Sequence, residues 1–407
     1  MFPYIHTPHY KFGPFTLQAF GMLVASGVII GSILIRRWTE EQKLDLDMMI
    51  DSFFVVIPGG FMLSHVVNTV LYSPELIAKN PLVLIYFWQG ISSFGGFLGG
   101  GVVAFFYFKY WRKVDPLPYM DTYAYGTVFG FFFGRMGCMV AHDHPGMWVV
   151  NNAGNPRLLA AYQSRSITLP GWDNPLLWIA LLIATLSVGL VISRLREKPM
   201  FESGNLLYML AFAGFFAIFY PFLPDFIRVF TVHWPMNWSQ LPKNGFALVS
   251  PPTYTTKLRF DLGLMEAFYF LFLVAIVYVI KTGKPRREGM ILGTWFVLYA
   301  PIRFLFDFLR LGSSDNRSQA LGLTPGQFMA MLTFGLGVYF LVTLPDRRWG
   351  EYGEEQERKQ AKKSSKEKKK DAPAKTEKAS ATTGNKEDKP TSESTPKKKK
   401  KKKKKKK

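Results

Sequence analysis

Gly134-Arg135-Met136-Gly137-Cys138-Met139-Val140-Ala141-His142-Asp143-His144-Pro145-Gly146 closes an apolar segment that begins at Phe129. An arginine inside such a segment is expensive to hold in a bilayer, so it faces a polar cavity and marks function. Small glycines flank it, and a His-Asp-His cluster follows where the apolar run ends. A second arginine, Arg303, sits in another apolar run. Two arginines at membrane depth point to an anion held there, and a phospholipid phosphate is the candidate.

Working outward, nine runs have about the 20 apolar residues a helix needs to cross a bilayer. They cover roughly 15–35, 48–72, 84–108, 120–141, 175–193, 204–222, 262–280, 289–308 and 325–344. Gly90, Gly95, Gly96 and Gly99 to Gly101 interrupt the third, which predicts a broken or re-entrant start. Basic residues cluster after alternate runs: Arg36, Arg37 and Lys43; Lys109, Arg112 and Lys113; Arg194, Arg196 and Lys198; Lys281, Lys284, Arg286 and Arg287. By the positive-inside rule those loops are cytoplasmic, which puts the N-terminus in the periplasm and the C-terminus in the cytoplasm. The expected fold is all-α: a polytopic inner-membrane helical bundle with a small periplasmic cap from loops 142–174 and 223–261. Residues 1–345 form the membrane domain, and 346–407 form a disordered Lys-rich tail.

The net charge of +21 does not indicate a nucleic-acid partner. Residues 350–407 hold 23 Lys/Arg against 10 Asp/Glu, leaving 27 against 19 for the body. The final run, Lys397 to Lys407, suits an anionic lipid surface, although a solvated tail without a specific partner is the simpler reading. A lone cysteine, Cys138, excludes a disulfide framework and a cysteine-cluster metal centre. No basic n-region precedes the first apolar run, so that run reads as a span rather than a cleaved signal.

Depth along the runs groups the polar residues. Arg135 lies about two turns inside its run, on the order of 10 Å from the outer end. Arg303 and Asp307 are spaced i, i+4 and share a helix face, so they can pair; Arg310 follows. His65, Phe20 and the turn Ser92-Ser93-Phe94-Gly95-Gly96 fall at a similar depth, which suggests one pocket open to the outer leaflet. Each residue has a plainer reading. Arg135 can snorkel, Arg303 and Asp307 can be a structural ion pair, and the glycines can serve close helix packing. Glu266 reads as structural on the same grounds. His142, Asp143 and His144 lack a partner ligand elsewhere in the sequence, so no metal is expected.

At these residues the chain resembles the prolipoprotein diacylglyceryl transferase family. That family's signature runs Gly-Arg-x-Gly-Asn-Phe-x-Asn-x-Glu-x-x-Gly, and Gly134, Arg135, Gly137 and Gly146 match it in spacing. Gly13-Pro14 through Phe20-Gly21, Trp88 through Gly96, Tyr299 through Arg310, and Thr324-Pro325-Gly326-Gln327-Phe328 resemble further family segments in order. The chain departs at Phe20 (a tyrosine in the family), Phe94 (a histidine), Cys138 and Ala141 (asparagines), Asp143 and Asp307 (glutamates) and His65 (an arginine). Residues 175–222 read as a hairpin inserted into a seven-span core.

The resemblance implies transfer of diacylglyceryl from phosphatidylglycerol to the lipobox cysteine of a prolipoprotein signal peptide, without a cofactor. By matched position, Arg135 and Arg303 would clamp the phosphate and Asp307 would orient Arg303. Asp143 would position the headgroup. Phe20, Phe94, Gly95, Gly96, Gly134, Gly137, Cys138, Gly146 and Arg310 would line the substrate. With Phe94 in place of the histidine, the base is open among His65, His142 and His144. Loss of those two polar groups also motivates a competing reading, a silent relative that binds phospholipid or lipoprotein.

Overall fold

The computed structural model describes residues 2–7, 10–12, 15–86, 90, 92–148, 175–219, 229–242, 247–250, 256–310 and 323–370. Most of loop 142–174, parts of loop 223–261, Trp88 and the Lys397–Lys407 run lie outside the described residues. Met1–Arg358 forms one compact unit and Lys359–Lys407 a second.

Short strands β1 (Phe2–His6), β2 (Tyr10–Phe12) and β3 (Phe15–Leu17) precede helix α1 (Ala19–Glu41). Then come α2 (Leu46–Tyr72), α3 (Pro74–Lys79), α4 (Ser93–Phe106) and α5 (Pro116–Ala141). Strand β4 (Pro145–Trp148) leads on to α6 (Pro175–Arg196) and α7 (Ser203–Phe219). Strands β5 (Thr231–Pro235), β6 (Ala247–Val249) and β7 (Thr256–Asp261) precede α8 (Leu262–Thr282). Helices α9 (Met290–Phe306), α10 (Pro325–Val342) and α11 (Glu351–Lys370) complete the described chain.

Six of these helices (α1, α2, α6, α8, α9 and α10) are long and apolar enough to cross a membrane. Helix α7 is apolar but shorter. Helix α4 starts only at Ser93, a late start to the third run, but it continues unbroken through Gly95, Gly96 and Gly99 to Gly101 and runs on as a π-helical turn, Tyr107–Trp111. Helix α5 has 26 residues, but Asp121, Arg135 and its Tyr and Gly residues dilute its apolarity.

Glycines set the closest helix approach. A Cβ on Gly27 of α1 would lie 2.7 Å from the Gly130 carbonyl oxygen of α5, and one on Gly31 would lie 2.9 Å from that of Gly126. The two backbones therefore touch through paired small-xxx-small stripes. The main core, including Phe270, Leu273, Trp295 and Val297, lies where α5, α8, α9 and α10 meet.

Two expectations need correction. The fold is mostly helical but not all-α, because the described part of the cap is a five-stranded sheet in the order β4-β7-β5-β1-β6. Its strands are 3 to 6 residues long and come from three distant parts of the chain. Each lacks the length to announce itself alone. The stretch after 346 is also ordered through Lys370. Tyr352 is buried, Lys43 pairs with Glu354 at 3.1 Å, and Glu354 with Arg358 at 3.8 Å. An apolar anchor plus i, i+4 charge pairs suffice for a helix that composition alone reads as disordered.

The segment before α11 closes the bundle end opposite the cap. Arg347 reaches Glu288 at 2.5 Å and Asp115 at 2.6 Å, and the Trp349 indole donates to Asp121 at 2.7 Å.

Candidate functional site

The site forms where the C-terminal end of α5 meets the start of α8 and the end of α9. Asp261 ends β7 and caps α8, accepting a hydrogen bond from the Leu264 amide at 3.0 Å. One turn into that helix stands Glu266, 2 % exposed. Its carboxylate pairs with Arg135 at 2.6 Å and lies 3.9 Å from Arg303. Arg303 pairs in turn with Asp307 at 2.7 Å, as their i, i+4 spacing allows, and Arg310 lies 3.7 Å from the same carboxylate. Tyr299, one turn before Arg303, bonds to the Arg135 side chain.

Three guanidiniums thus share two carboxylates, and the cluster keeps an excess of one positive charge. Removing charges from water is costly unless they are paired, so an unbalanced cation cluster has the charge to accommodate an anion. Gly134, next to Arg135, has nothing within 4 Å of where a Cβ would stand. That leaves open space beside the guanidinium's own helix turn.

Helix α10 supports the pair from behind. Thr324 caps it, forming a capping box with Gln327, and its hydroxyl donates to Asp307. A Cβ on Gly326 would meet Asp307 Oδ2 at 3.0 Å and Arg303 Nη2 at 3.3 Å. Only glycine lets the α10 backbone come this close without moving the pair.

The loop that ends α5 is tied at alternate residues. His142, in the left-handed conformation (φ 49°), donates from Nδ1 to Asp261 at 2.6 Å and accepts the Ile5 amide on Nε2 at 3.3 Å. It also stacks on Tyr4 at 3.8 Å. The His144 carbonyl accepts the Leu262 amide at 3.1 Å, and the Gly146 carbonyl accepts from Arg259 at 2.8 Å. Gly146 also bridges to Arg310, and a Cβ there would lie 2.8 Å from that of Phe260.

The side chains of Asp143 and His144 are left facing back toward α5. His144 Nδ1 is 3.4 Å from Asp143, and both reach within 4.8 Å of the Cys138 sulfur. Arg135 Nη1 is 3.8 Å from that sulfur. Burial and the Arg135 charge hold the His144 imidazole below its ordinary value, with Asp143 pulling the other way.

The structure therefore brings together Arg135, Cys138, Asp143, Arg303, Asp307 and Arg310, with Gly134 and Gly146 alongside. Phe20 joins through Gly137, where a Cβ would lie 3.1 Å from the Phe20 ring. It adds Glu266, Tyr299, Thr324 and Gly326. The signal for Glu266 was its charge inside an apolar run; its bridging role needs the fold.

His65 stands elsewhere. Its ring nitrogens face the carbonyls of Gly90 and Val83, both at 2.8 Å, and it pins the chain before α4 to α2. Gly95 packs against α2, where a Cβ would lie 2.8 Å from that of Val67, and Gly96 lies against Ser64. Phe94 is the second residue of α4, next in sequence to these glycines.

A membrane-embedded helical bundle with a buried arginine–carboxylate cluster beside a small β-sheet defines the class. The chain belongs to the prolipoprotein diacylglyceryl transferase family, whose sequence model matches residues 9–343. It is a multi-pass membrane protein. Among similar proteins is a phosphatidylglycerol–prolipoprotein diacylglyceryl transferase of Thermus thermophilus, 31% identical over 127 residues, which is 31% of this chain and 45% of that protein. One of Staphylococcus xylosus is 25% identical over 144 residues, 35% of this chain and 51% of the relative. Another, of Halalkalibacterium halodurans, is 29% identical over 127 residues, 31% and 44% of the two chains. The chain spans about half the length of the curated relatives it matches.

Proposed function

We propose that this protein transfers the diacylglyceryl group of phosphatidylglycerol to the lipobox cysteine of a prolipoprotein signal peptide at the bacterial inner membrane. The acceptor sulfur attacks the glycerol carbon that carries the phosphate. A C–S thioether bond forms, the C–O bond breaks with its electrons going to phosphate oxygen, and glycerol phosphate leaves with one proton released. Nine crossings would put the N-terminus and cap in the periplasm, where the acceptor arrives, and the C-terminal tail in the cytoplasm.

One observation carries the reading: Arg135 and Arg303, from different helices, converge on a single buried carboxylate, Glu266, with positive charge to spare. A phosphodiester entering from the bilayer would take up that excess. The charge that grows on the phosphate as C–O breaks is what fixed donors stabilise best. Arg135 and Arg303 are its clamps, Asp307 orients Arg303, and Arg310 stands at the mouth. Phe20, Phe94, Gly95, Gly96, Gly134, Gly137 and Gly146 would shape the lipid and peptide path, and exposed Asp143 would meet the headgroup hydroxyls. Loss of the thiol proton falls to the corner of Cys138, Asp143 and His144. His65 and His142 already spend both ring nitrogens on structure.

Complementation tests this reading. Cells depleted of their own diacylglyceryl transferase should regain mature lipoprotein when given this chain, and should not when given an equally expressed Arg135→Ala variant. Wild-type expression without maturation favours the silent, lipid-binding relative.

A further inference from the structure

The tip of the α6–α7 hairpin closes against two other parts of the chain at the Arg347 end of the bundle. Arg286 donates to the Leu195 carbonyl oxygen. Arg348 pairs with Glu197 at 2.7 Å and donates to the Pro285 carbonyl oxygen at 2.9 Å. A cleft of about 490 Å³ lies between this tip and the end of α10. Its walls include Leu190, Arg194, Glu197 and Lys198 of the hairpin, Arg287 just before α9, and Val342 at the end of α10.

Three of those side chains are cations and one is a carboxylate, an excess of two positive charges. Glu197 is committed to Arg348. Lys198 pairs with Glu202 at 2.7 Å, and Arg287 with Asp346, 96% exposed, at 3.1 Å. Such exposed pairs are weak and leave both cations free to exchange partners. Arg194 has no ion pair among the described residues, and its Nε is buried without a hydrogen-bond partner. A buried charged donor left unmet is costly, so this guanidinium is the one that a ligand in the cleft would satisfy.

We propose that this cleft binds the headgroup phosphate of an anionic phospholipid in the leaflet that the basic loops assign to the cytoplasm. It lies at the opposite end of the bundle from the Arg135 cluster, and the proposal does not depend on the transferase reading. The order of chemistry along the cleft favours a lipid over a free phosphate. Leu190 stands one turn before Arg194, and both α6 and α10 are long and apolar enough to cross a membrane. The walls thus grade from charge at the helix ends to hydrocarbon within the spans, the order of phosphate and acyl chain in a phospholipid. Arginine's fork suits the phosphate, and lysine adds a point charge. A zwitterionic headgroup would bring an ammonium to a cleft whose one carboxylate is already paired, so a lipid of net negative charge fits better.

The turn is held by groups other than the cleft's own cationic side chains, which is what a prepared site requires. The Ser193 hydroxyl donates to the Lys198 carbonyl oxygen at 2.7 Å, and the Lys198 amide donates back to the Ser193 carbonyl at 3.1 Å. Buried Asn205 donates to the Pro199 carbonyl at 2.8 Å and accepts from Arg196 at 2.9 Å. Glu197 takes the left-handed conformation (φ 54°), uncommon for a residue with a side chain, and reverses the chain there. The C-terminal end of a helix repels an anion. Two of the last carbonyls of α6, those of Ser193 and Leu195, are already bonded to the Lys198 amide and to Arg286.

The test uses the full chain in phosphatidylcholine vesicles that contain sub-saturating phosphatidylglycerol with a photoreactive group on its headgroup. Crosslinks to the hairpin tip and to the loop before α9 should form with wild type and equally with Arg135→Ala. Arg194→Gln should reduce them at least about 10-fold, the cost of losing a hydrogen bond to a charged group. Arg287→Gln should also reduce them, and Arg194→Lys should restore part of the yield. Helical content and unfolding midpoint show that each variant is folded, and the second glutamine variant serves if the first is not. Phosphatidylcholine with the same photoreactive group should label these segments far less, and excess soluble glycerol phosphate should not compete. Equal yields from wild type and the folded glutamine variants, or from the two lipids, overturn the site. Loss of the crosslinks in Arg135→Ala overturns it too, by assigning the lipid to the other end of the bundle. Full competition by glycerol phosphate makes the ligand a soluble phosphate ester and overturns the lipid assignment.

Discussion

The Glu266 carboxylate lies 2.6 Å from Arg135 and 3.9 Å from Arg303, joining α5 to α9 through α8 inside the bundle. It compensates two guanidiniums at once, so it is the residue whose loss the cluster tolerates least. Breaking a buried ion pair by removing one partner costs ~3–5 kcal/mol. Glu266→Ala should lower the thermal unfolding midpoint markedly in detergent, and Glu266→Gln by less, since its amide oxygen still accepts. Equal midpoints for wild type and Glu266→Ala would show that the bridge is not stabilising.

Arg135→Lys and Arg303→Lys keep the charge and lose the fork. Fixed donors at a developing oxyanion are worth ~10²–10³ in kcat, and a lysine point charge replaces a planar clamp poorly. Each variant should lose activity chiefly in kcat, with KM for phosphatidylglycerol changed less. A loss confined to KM would mean that the arginines only bind.

Gly326 tests positioning at one remove. The added methyl of Gly326→Ala meets Asp307 at 3.0 Å and Arg303 at 3.3 Å, so the pair must shift. The pair has to give by only a few tenths of an ångström, a fraction of the displacement of about 1 Å that costs ~10²-fold at a reacting centre. The expected result is a fall in kcat with nearly unchanged unfolding; wild-type kcat would show that the pair has slack.

His142→Ala separates structure from chemistry. It leaves Oδ2 of buried Asp261 and the Ile5 amide without their partner, while Oδ1 keeps the Leu264 amide; an unsatisfied buried polar group costs ~1–3 kcal/mol. The unfolding midpoint should drop while transfer per folded molecule persists. Abolished transfer at an unchanged midpoint would make His142 the proton acceptor instead.

At the other end of the bundle, burial with Asp115 and Asp121 nearby pushes Glu288 up to about 7 despite Arg347. An acid whose folded value is raised binds its proton more tightly in the folded state. Its favourable contribution is full below its ordinary value of 4.5 and is lost as pH rises through about 7. Glu288→Gln should therefore gain on wild type in unfolding midpoint as pH goes from 5 to 8. A difference independent of pH would contradict this.

The helices were legible because membrane runs are long and compositionally plain. Arg135 and Arg303 stood out because charge is costly in such a run, and the Arg303–Asp307 pair follows from helical period alone. The Gly27/Gly31 and Gly126/Gly130 stripes were also in the sequence, as two small-xxx-small patterns. Loops 142–174 and 223–261 were read as a cap, but the sheet they build with the N-terminus was not, because its strands are short and pair across more than two hundred residues, as β1 with β5 and β6. Nor was the tie between His142 and Asp261, 119 positions apart. Helix α11 was masked by its composition, since its order depends on Tyr352 and on Lys43 from a distant loop.

The most direct measurement is transfer in vesicles of labelled phosphatidylglycerol with a lipobox peptide, following glycerol phosphate release and lipidation of the cysteine together. The account predicts that both appear in equal amount with the wild-type chain and that both vanish with Arg135→Ala. Lipid bound in an Arg135-dependent way, with neither product formed by folded wild type, would contradict it.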